Sequence, residues 1–181
     1  DNKENYFIVD SVPEIKQVID EGSLKKPEKN EAGRIIEVNV NLLKAKSCFN
    51  NQDYDQTISI VSKILEHDPK NVEALALRDI SYFSKGNSLQ LKKDNVAALK
   101  MFRNVEPDYK DVNKKISVLE KNLIQRSNFY YKKGVRSFVN EKLKDAIAQW
   151  NKALELNPDN REARKGIKEA CNIIEKLKKI K

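Results

Sequence analysis

From Val112 onward the apolar side chains fall at Ile116, Leu119, Leu123, Tyr130 and Phe138, all on one helical face, with no Pro or Gly before Gly134. The spacing predicts one long helix over 108–139, roughly 45 Å at 1.5 Å per residue, with a break near Asn122 as the alternative. After Pro158 a second stripe, Ala163, Ile167, Ala170, Ile174 and Leu177, predicts a closing helix over 161–180. Towards the N-terminus the pattern weakens. Ser11 and Glu14 form a capping box around Pro13, and Ile15, Val18, Ile19 and the terminating Gly22 predict one short helix. The polar stretch from Ser23 to Gly33 predicts a linker. Tyr6 to Val9 is either a strand-like segment laid on the rest or the remnant of a preceding domain.

The periodic part repeats itself. Tyr82, Lys85, Gly86, Ala98, Phe102 and Val105 stand at a constant offset of 48 from Tyr130, Lys133, Gly134, Ala146, Trp150 and Ala153. A weaker copy over 38–71 carries Ala45, Thr57, Val61, Ile64 and Pro69, and its Asp-Pro-Lys-Asn ending parallels Asn157-Pro158-Asp159-Asn160. Helix-length units of this kind close their apolar faces only by stacking on one another. The small residues Ala45, Gly86 and Gly134 are placed to let the first helix of each pair approach the second, with Ala98 and Ala146 answering from the second. Phe102 and Trp150 then fill the space between one pair and the next, and Pro69 and Pro158 end the second helix.

The order aromatic, Gly, Ala, aromatic, Ala, Pro at Tyr130, Gly134, Ala146, Trp150, Ala153 and Pro158 resembles the tetratricopeptide repeat family. The chain departs from that family's Leu and Tyr at Lys133 and Ser137. The offset of 48 exceeds the family's period of about 34, so about fourteen residues are inserted between Pro107 and Tyr130. The resemblance covers about 38–160 and the closing helix. It implies an all-α fold, a solenoid of antiparallel helix pairs in a right-handed superhelix, with an N-terminal segment over 1–37 and a repeat domain over 38–181. The repeats are expected at 38–71, 79–107 and 127–160.

The same resemblance implies a groove lined by the first helix of each pair. Its positions are Leu42, Lys46, Phe49 and Asn50, then Phe83, Asn87 and Gln90, then Asn128, Tyr131, Val135, Phe138 and Val139. Phe49, Phe83, Tyr131 and Phe138 would share a face that is either open to a peptide or neighbouring copy, or covered by the inserted helix or the N-terminal segment. One subset of the family clamps the C-terminal carboxylate of heat-shock chaperones with Lys and Asn, then Lys and Arg. This chain has Leu42 and Lys46, then Asn128 and Lys132, which disfavours a cochaperone role. The turn Pro107-Asp108-Tyr109-Lys110-Asp111 and the ending Ala153 to Asn160 resemble tandem repeats of bacterial surface, secretion and pilus-associated proteins. What this implies is a non-enzymatic interaction or scaffold module in a larger bacterial assembly or envelope protein, with homo-oligomerisation left open.

Composition agrees with helices: 34% charged residues with only 5 Gly and 5 Pro disfavour a turn-rich β architecture. The net charge of +8 raises an anionic partner, nucleic acid included, as the alternative function. Lys and Arg are interleaved with Glu and Asp along the chain, the pattern of solvated helix faces, which weighs against nucleic acid. Lys176, Lys178, Lys179 and Lys181 complement the negative end of the closing helix. No apolar window is long enough to span a membrane, so a soluble chain is expected. Cys48 and Cys171 are predicted to be small buried hydrophobes and do not fix the compartment. His67, the single histidine, precludes a two-histidine metal site and sits at a helix end. With no Gly-rich phosphate loop, CxxC or HExxH, and with Glu155 and Asp159 on solvated helix ends, neither catalysis nor a metal or cofactor is expected.

Overall fold

Helix-favouring sequence and sharp breakers divide residues 29–180, those described by the computed structural model, into seven helices. They are α1 (Lys29–Asn50), α2 (Tyr54–His67), α3 (Val72–Leu91), α4 (Asn95–Phe102), α5 (Val112–Val139), α6 (Leu143–Leu156) and α7 (Arg161–Ile180). Among the described residues there is no strand. The repeats lie within one compact unit, Glu37–Lys181. The expectations for Tyr6 to Val9 and for Ser11 to Gly22 lie outside the described residues.

Two expected boundaries move. The stretch Ser23 to Gly33 predicts a linker, yet α1 already begins at Lys29 and runs through Gly33. Glu31 and Ala32 favour a helix, and one Gly costs about 1 kcal/mol, too little to break a helix of 22 residues. A Cβ at Gly33 would meet nothing within 4 Å, so no packing demands the glycine either. The inserted helix begins at Val112 instead of 108, because Lys110 takes a left-handed conformation (φ 49°) that ends the preceding turn. From there α5 continues unbroken past Asn122 for 28 residues, about 42 Å.

The repeats are visible in the turns. Gln52, Lys93 and Glu141 all have positive φ, 60°, 62° and 59°. In each turn the left-handed residue donates its N–H to a carbonyl three residues back, at Phe49, Gln90 and Phe138. The next residue donates to a carbonyl five back, at Cys48, Leu89 and Ser137. These paired bonds close the first helix of each pair and reverse the chain. Asp53 and Asp94 then cap the second helix, their carboxylates accepting from Gln56 and Ala97 N–H. Lys142 holds the third such position and has no side-chain cap bond. Asn71 and Asn160 cap α3 and α7 in the same way, accepting from Ala74 and Ala163.

Each pair is held by a fit between a small residue and a large one. A Cβ on Gly86 would come within 2.5 Å of Phe102 Cε1, and one on Gly134 would run into the Trp150 indole, 2.8 Å from Cε2. The aromatics pack against the glycine of their own pair and, as expected, also fill the space towards the next helix. They also reach outward: Trp150 lies 2.9 Å from where a Gly166 Cβ would be, so it is enclosed by α5 and α7. In the first pair the same register holds Ala45 and Val61, both fully buried in one cluster. A larger small residue goes with a smaller large one, and the total volume is roughly conserved.

The core falls into three clusters, one per pair. Leu42, Ala45, Ile60, Val61, Ile64 and Ala74 form the first. Phe83, Ala98, Leu99, Phe102 and Val105 form the second together with Val112, Leu119 and Leu123 of α5. Ala146, Trp150, Ala153, Ala163 and Ala170 form the third, with Tyr130, Tyr131 and Phe138 packed on it. α5 thus completes the second cluster with its first half and builds the third with its second half. A buried polar relay locks that junction: Asn160 Nδ2 donates to Ser127 Oγ (2.9 Å), which donates to the Ala153 carbonyl (2.8 Å). Cys48 is half-buried and Cys171 is exposed. The latter corrects the expectation of a buried thiol, because α7 buries Ala163 and Ala170 and turns the next residue outward.

Candidate binding groove

The small residue of each first helix points at its partner helix, which fixes what the opposite side presents. At 3.6 residues per turn, residues two before and two after it stand about 160° away around the axis. These are Leu43 and Ser47 on α1, Ser84 and Ser88 on α3, Lys132 and Arg136 on α5, and Arg164 and Lys168 on α7. Residues five after it, Asn50, Leu91, Val139 and Cys171, lie on the same side. Because Gly134 and Gly166 both abut Trp150, the outward sides of α5 and α7 belong to one surface.

The expected groove residues divide into those on this surface and those withdrawn from it. Lys46 is exposed and ion-paired with Glu73. Phe49 is half-buried with its ring 5.7 Å from that of Tyr54, and Asn50 is exposed. Asn87 and Gln90 are half-buried, and Asn128 and Val139 are exposed. Tyr131, Val135 and Phe138 are half-buried. The Tyr131 carbonyl accepts from Trp150 Nε1 at 3.2 Å, and the Phe138 ring lies 5.7 Å from that indole. Leu42 departs from expectation, being buried against α2, and Phe83, 7% exposed, takes the covered one of the two alternatives.

Phe83 is covered from within the chain. Its ring packs 5.7 Å from Phe102 and 5.4 Å, edge-on, from Tyr109 in the turn before α5. The ammonium groups of Lys110 and Lys115 stand 5.2 and 5.7 Å from its centroid, a cation–π arrangement that completes the cover. The aromatic face is therefore not continuous. Phe49 lies at one end, Tyr131 and Phe138 at the other, and the start of α5 lies over the middle.

Charge is distributed less evenly than interleaving along the sequence suggests. Residues 29–111 carry 13 Lys and Arg against 12 Asp and Glu, whereas 112–181 carry 18 against 8. α5 alone has Lys114, Lys115, Lys121, Arg126, Lys132, Lys133 and Arg136, with Glu120 as its one acid. Glu120 is engaged at 2.8 Å by Arg103, the residue that caps the C-terminal end of α4. Sequence reasoning also missed an open cleft of about 510 Å³ between α4, α5 and the end of α6, floored by Val96, Leu99, Leu123, Ile124 and Leu156. Among the described residues no group of His, Cys, Asp and Glu could hold a metal ion. No described helix is long and apolar enough to cross a membrane.

No family model matches the sequence. The chain is similar to the human mitochondrial import receptor subunit TOM70, 28% identical over 149 residues, which are 81% of this chain and 22% of that protein. It thus spans about a fifth of that relative's length. Among solved structures, the first TPR domain of human RPAP3 aligns at a TM-score of 0.29 and 20% identity, over 78% of this chain and 95% of that one. The first TPR of Spaghetti (RPAP3) bound to the HSP90 peptide SRMEEVD aligns at 0.27 and 19%, over 76% and 92%.

Proposed function

We propose that the chain, a helical array of tetratricopeptide type, is a non-enzymatic module that holds a segment of another protein along the side its first helices turn away from their partners. One observation supports this above others: Leu91 and Val139, each five residues past its repeat's glycine, are 86% and 74% exposed. A single exposed apolar side chain is ordinary. Two at matched positions of successive repeats, with Leu43 exposed on the same side, make a strip that a partner segment would desolvate. In this reading Asn50, Asn128 and Val139 lie on the surface, Lys46, Asn87 and Val135 stand at its edge, and the half-buried Phe49, Gln90, Tyr131 and Phe138 border it nearer the packing side, while Leu42 and Phe83 support it from below. A setting within a larger bacterial surface or secretion assembly rests on the likeness of 107–111 and 153–160 to such repeats.

The test uses the immobilised chain and a variant carrying Leu91→Ser and Val139→Ser, with retained proteins identified by mass spectrometry. A partner held through this surface should be depleted at least about tenfold, which is about 1.4 kcal/mol, while the helical circular dichroism stays unchanged. Undiminished retention would place binding elsewhere.

A further inference from the structure

The side of the array facing away from α2, α4 and α6 changes character along its length. At the matched positions flanking each small residue, α1 has Leu43 and Ser47 and α3 has Ser84 and Ser88, but α5 has Lys132 and Arg136 and α7 has Arg164 and Lys168. All four basic residues are exposed, and none belongs to an ion pair found among the described residues. Arg164 donates to the Pro158 carbonyl and the other three have no such bond. The line continues along α5, where Lys114 and Lys121 stand about 160° and 140° from Gly134 around the helix, with exposed Val118 and Phe129 on the same side between the basic residues. From Lys114 to Arg136 the ridge runs about 33 Å at 1.5 Å per residue.

No acidic side chain of α5 lies on this side. Glu120 stands about 40° from Gly134, on the packing side, and is held by Arg103. On α7, Glu162 and Glu169 also fall on the packing side. Glu175 is on the outward side, two turns beyond Lys168 and followed by Lys176, Lys178 and Lys179. Basic groups gathered without counter-charges repel one another, and a partner of opposite sign removes that repulsion while fixing its own register.

We infer that the partner segment is acidic, carrying Asp and Glu side chains beside the apolar group that meets Val139 over the stretch that crosses α5 and α7, and uncharged or apolar residues over the stretch that crosses α1 and α3. This rests on the proposed groove and adds a polarity to it. Recognition is by side-chain carboxylates along the segment, so it needs no free C-terminus.

The probe is a fluorescent peptide of about fourteen alternating Glu and Ser residues, long enough at about 3.3 Å per residue to span the ridge, with both termini blocked. A Gln-for-Glu peptide and an oligothymidylate of about fifteen nucleotides serve as comparisons, all titrated into the full chain by anisotropy. The Glu peptide should bind, weaken as salt is raised from about 50 to about 300 mM, and bind at least tenfold less to the variant carrying Lys132→Glu, Arg136→Glu and Lys168→Glu. Should that variant melt early, the neutral set Lys132→Gln, Arg136→Gln and Lys168→Gln carries the same expectation to a smaller degree. Equal binding of the Glu and Gln peptides would overturn the inference while leaving the proposed groove standing. Absence of Glu-peptide binding, or tighter binding of the oligonucleotide, would overturn it as well, the latter in favour of nucleic acid.

Discussion

The ring of Phe102 occupies the space a methyl group would need on Gly86, and Trp150 does the same to Gly134 one repeat later. Gly86→Ala should therefore cost about 1–3 kcal/mol by overpacking, even though Ala is intrinsically the better helix former by about 1 kcal/mol. The first repeat already contains the solution, Ala45 with Val61. Adding Phe102→Val to Gly86→Ala should make the double variant less destabilised than the two single losses added together. Urea unfolding of the four proteins measures the coupling, and strict additivity would show that the two residues do not share one space.

Trp150 is the single tryptophan and is 3% exposed. Its fluorescence should be blue-shifted in the native state and move to longer wavelength on unfolding. Trp150→Ala should cost about 3–5 kcal/mol, because the cavity would open between α5, α6 and α7 together. A native emission maximum like that of free tryptophan would contradict this burial.

The turn before α6 is chemically poorer than the two equivalent turns before it. Lys142 stands where Asp53 and Asp94 cap their helices and makes no cap bond. Lys142→Asp should stabilise the fold by about 1 kcal/mol, with a further gain at the helix dipole. Glu141→Gly should add about 0.5–1 kcal/mol by relieving the left-handed backbone at φ 59°. Thermal melts of the single and double variants check both, and no rise in Tm for Lys142→Asp would count against the equivalence of the turns.

Asn160 serves two helices at once, capping α7 through Ala163 N–H and donating to the buried Ser127 hydroxyl of α5. Asn160→Ala should cost about 2 kcal/mol, the sum of a lost cap and a weakened buried bond. Asn160→Ser, which can cap but not reach as far, should fall between Ala and the native residue. Equal stability of all three would mean that water replaces the side chain without cost.

The parts of the fold legible in the sequence are those set by local volume and turn chemistry. Gly86 with Phe102 and Gly134 with Trp150 recur at one offset because each pair must solve the same packing problem. Pro69 and Pro158 follow the ends of α2 and α6 because a proline ring cannot continue a helix. The state of Phe83 was not legible. Its register places it on the groove side, and only the path of the inserted residues, which brings Tyr109, Lys110 and Lys115 over it, withdraws it. Charge was legible residue by residue but not as a surface. Lys132, Arg136, Arg164 and Lys168 look ordinary in sequence order and become one patch only when two helices are set side by side against the same indole.

The double membership of α5 bears on the order in which the chain can assemble as it is made. α4 has only 8 residues, below the roughly 12–15 at which a helix holds itself in water, and its core partners Val112, Leu119 and Leu123 come later in the chain. The second pair therefore cannot close when its own residues have emerged from the ribosome; it waits for the first half of α5, whose second half already commits the next pair. A fragment ending at residue 111 should keep amide protection in α2 and lose it in α4, while one ending at 139 should protect both. With that outcome the inserted turns would tie the completion of one repeat to the synthesis of its neighbour.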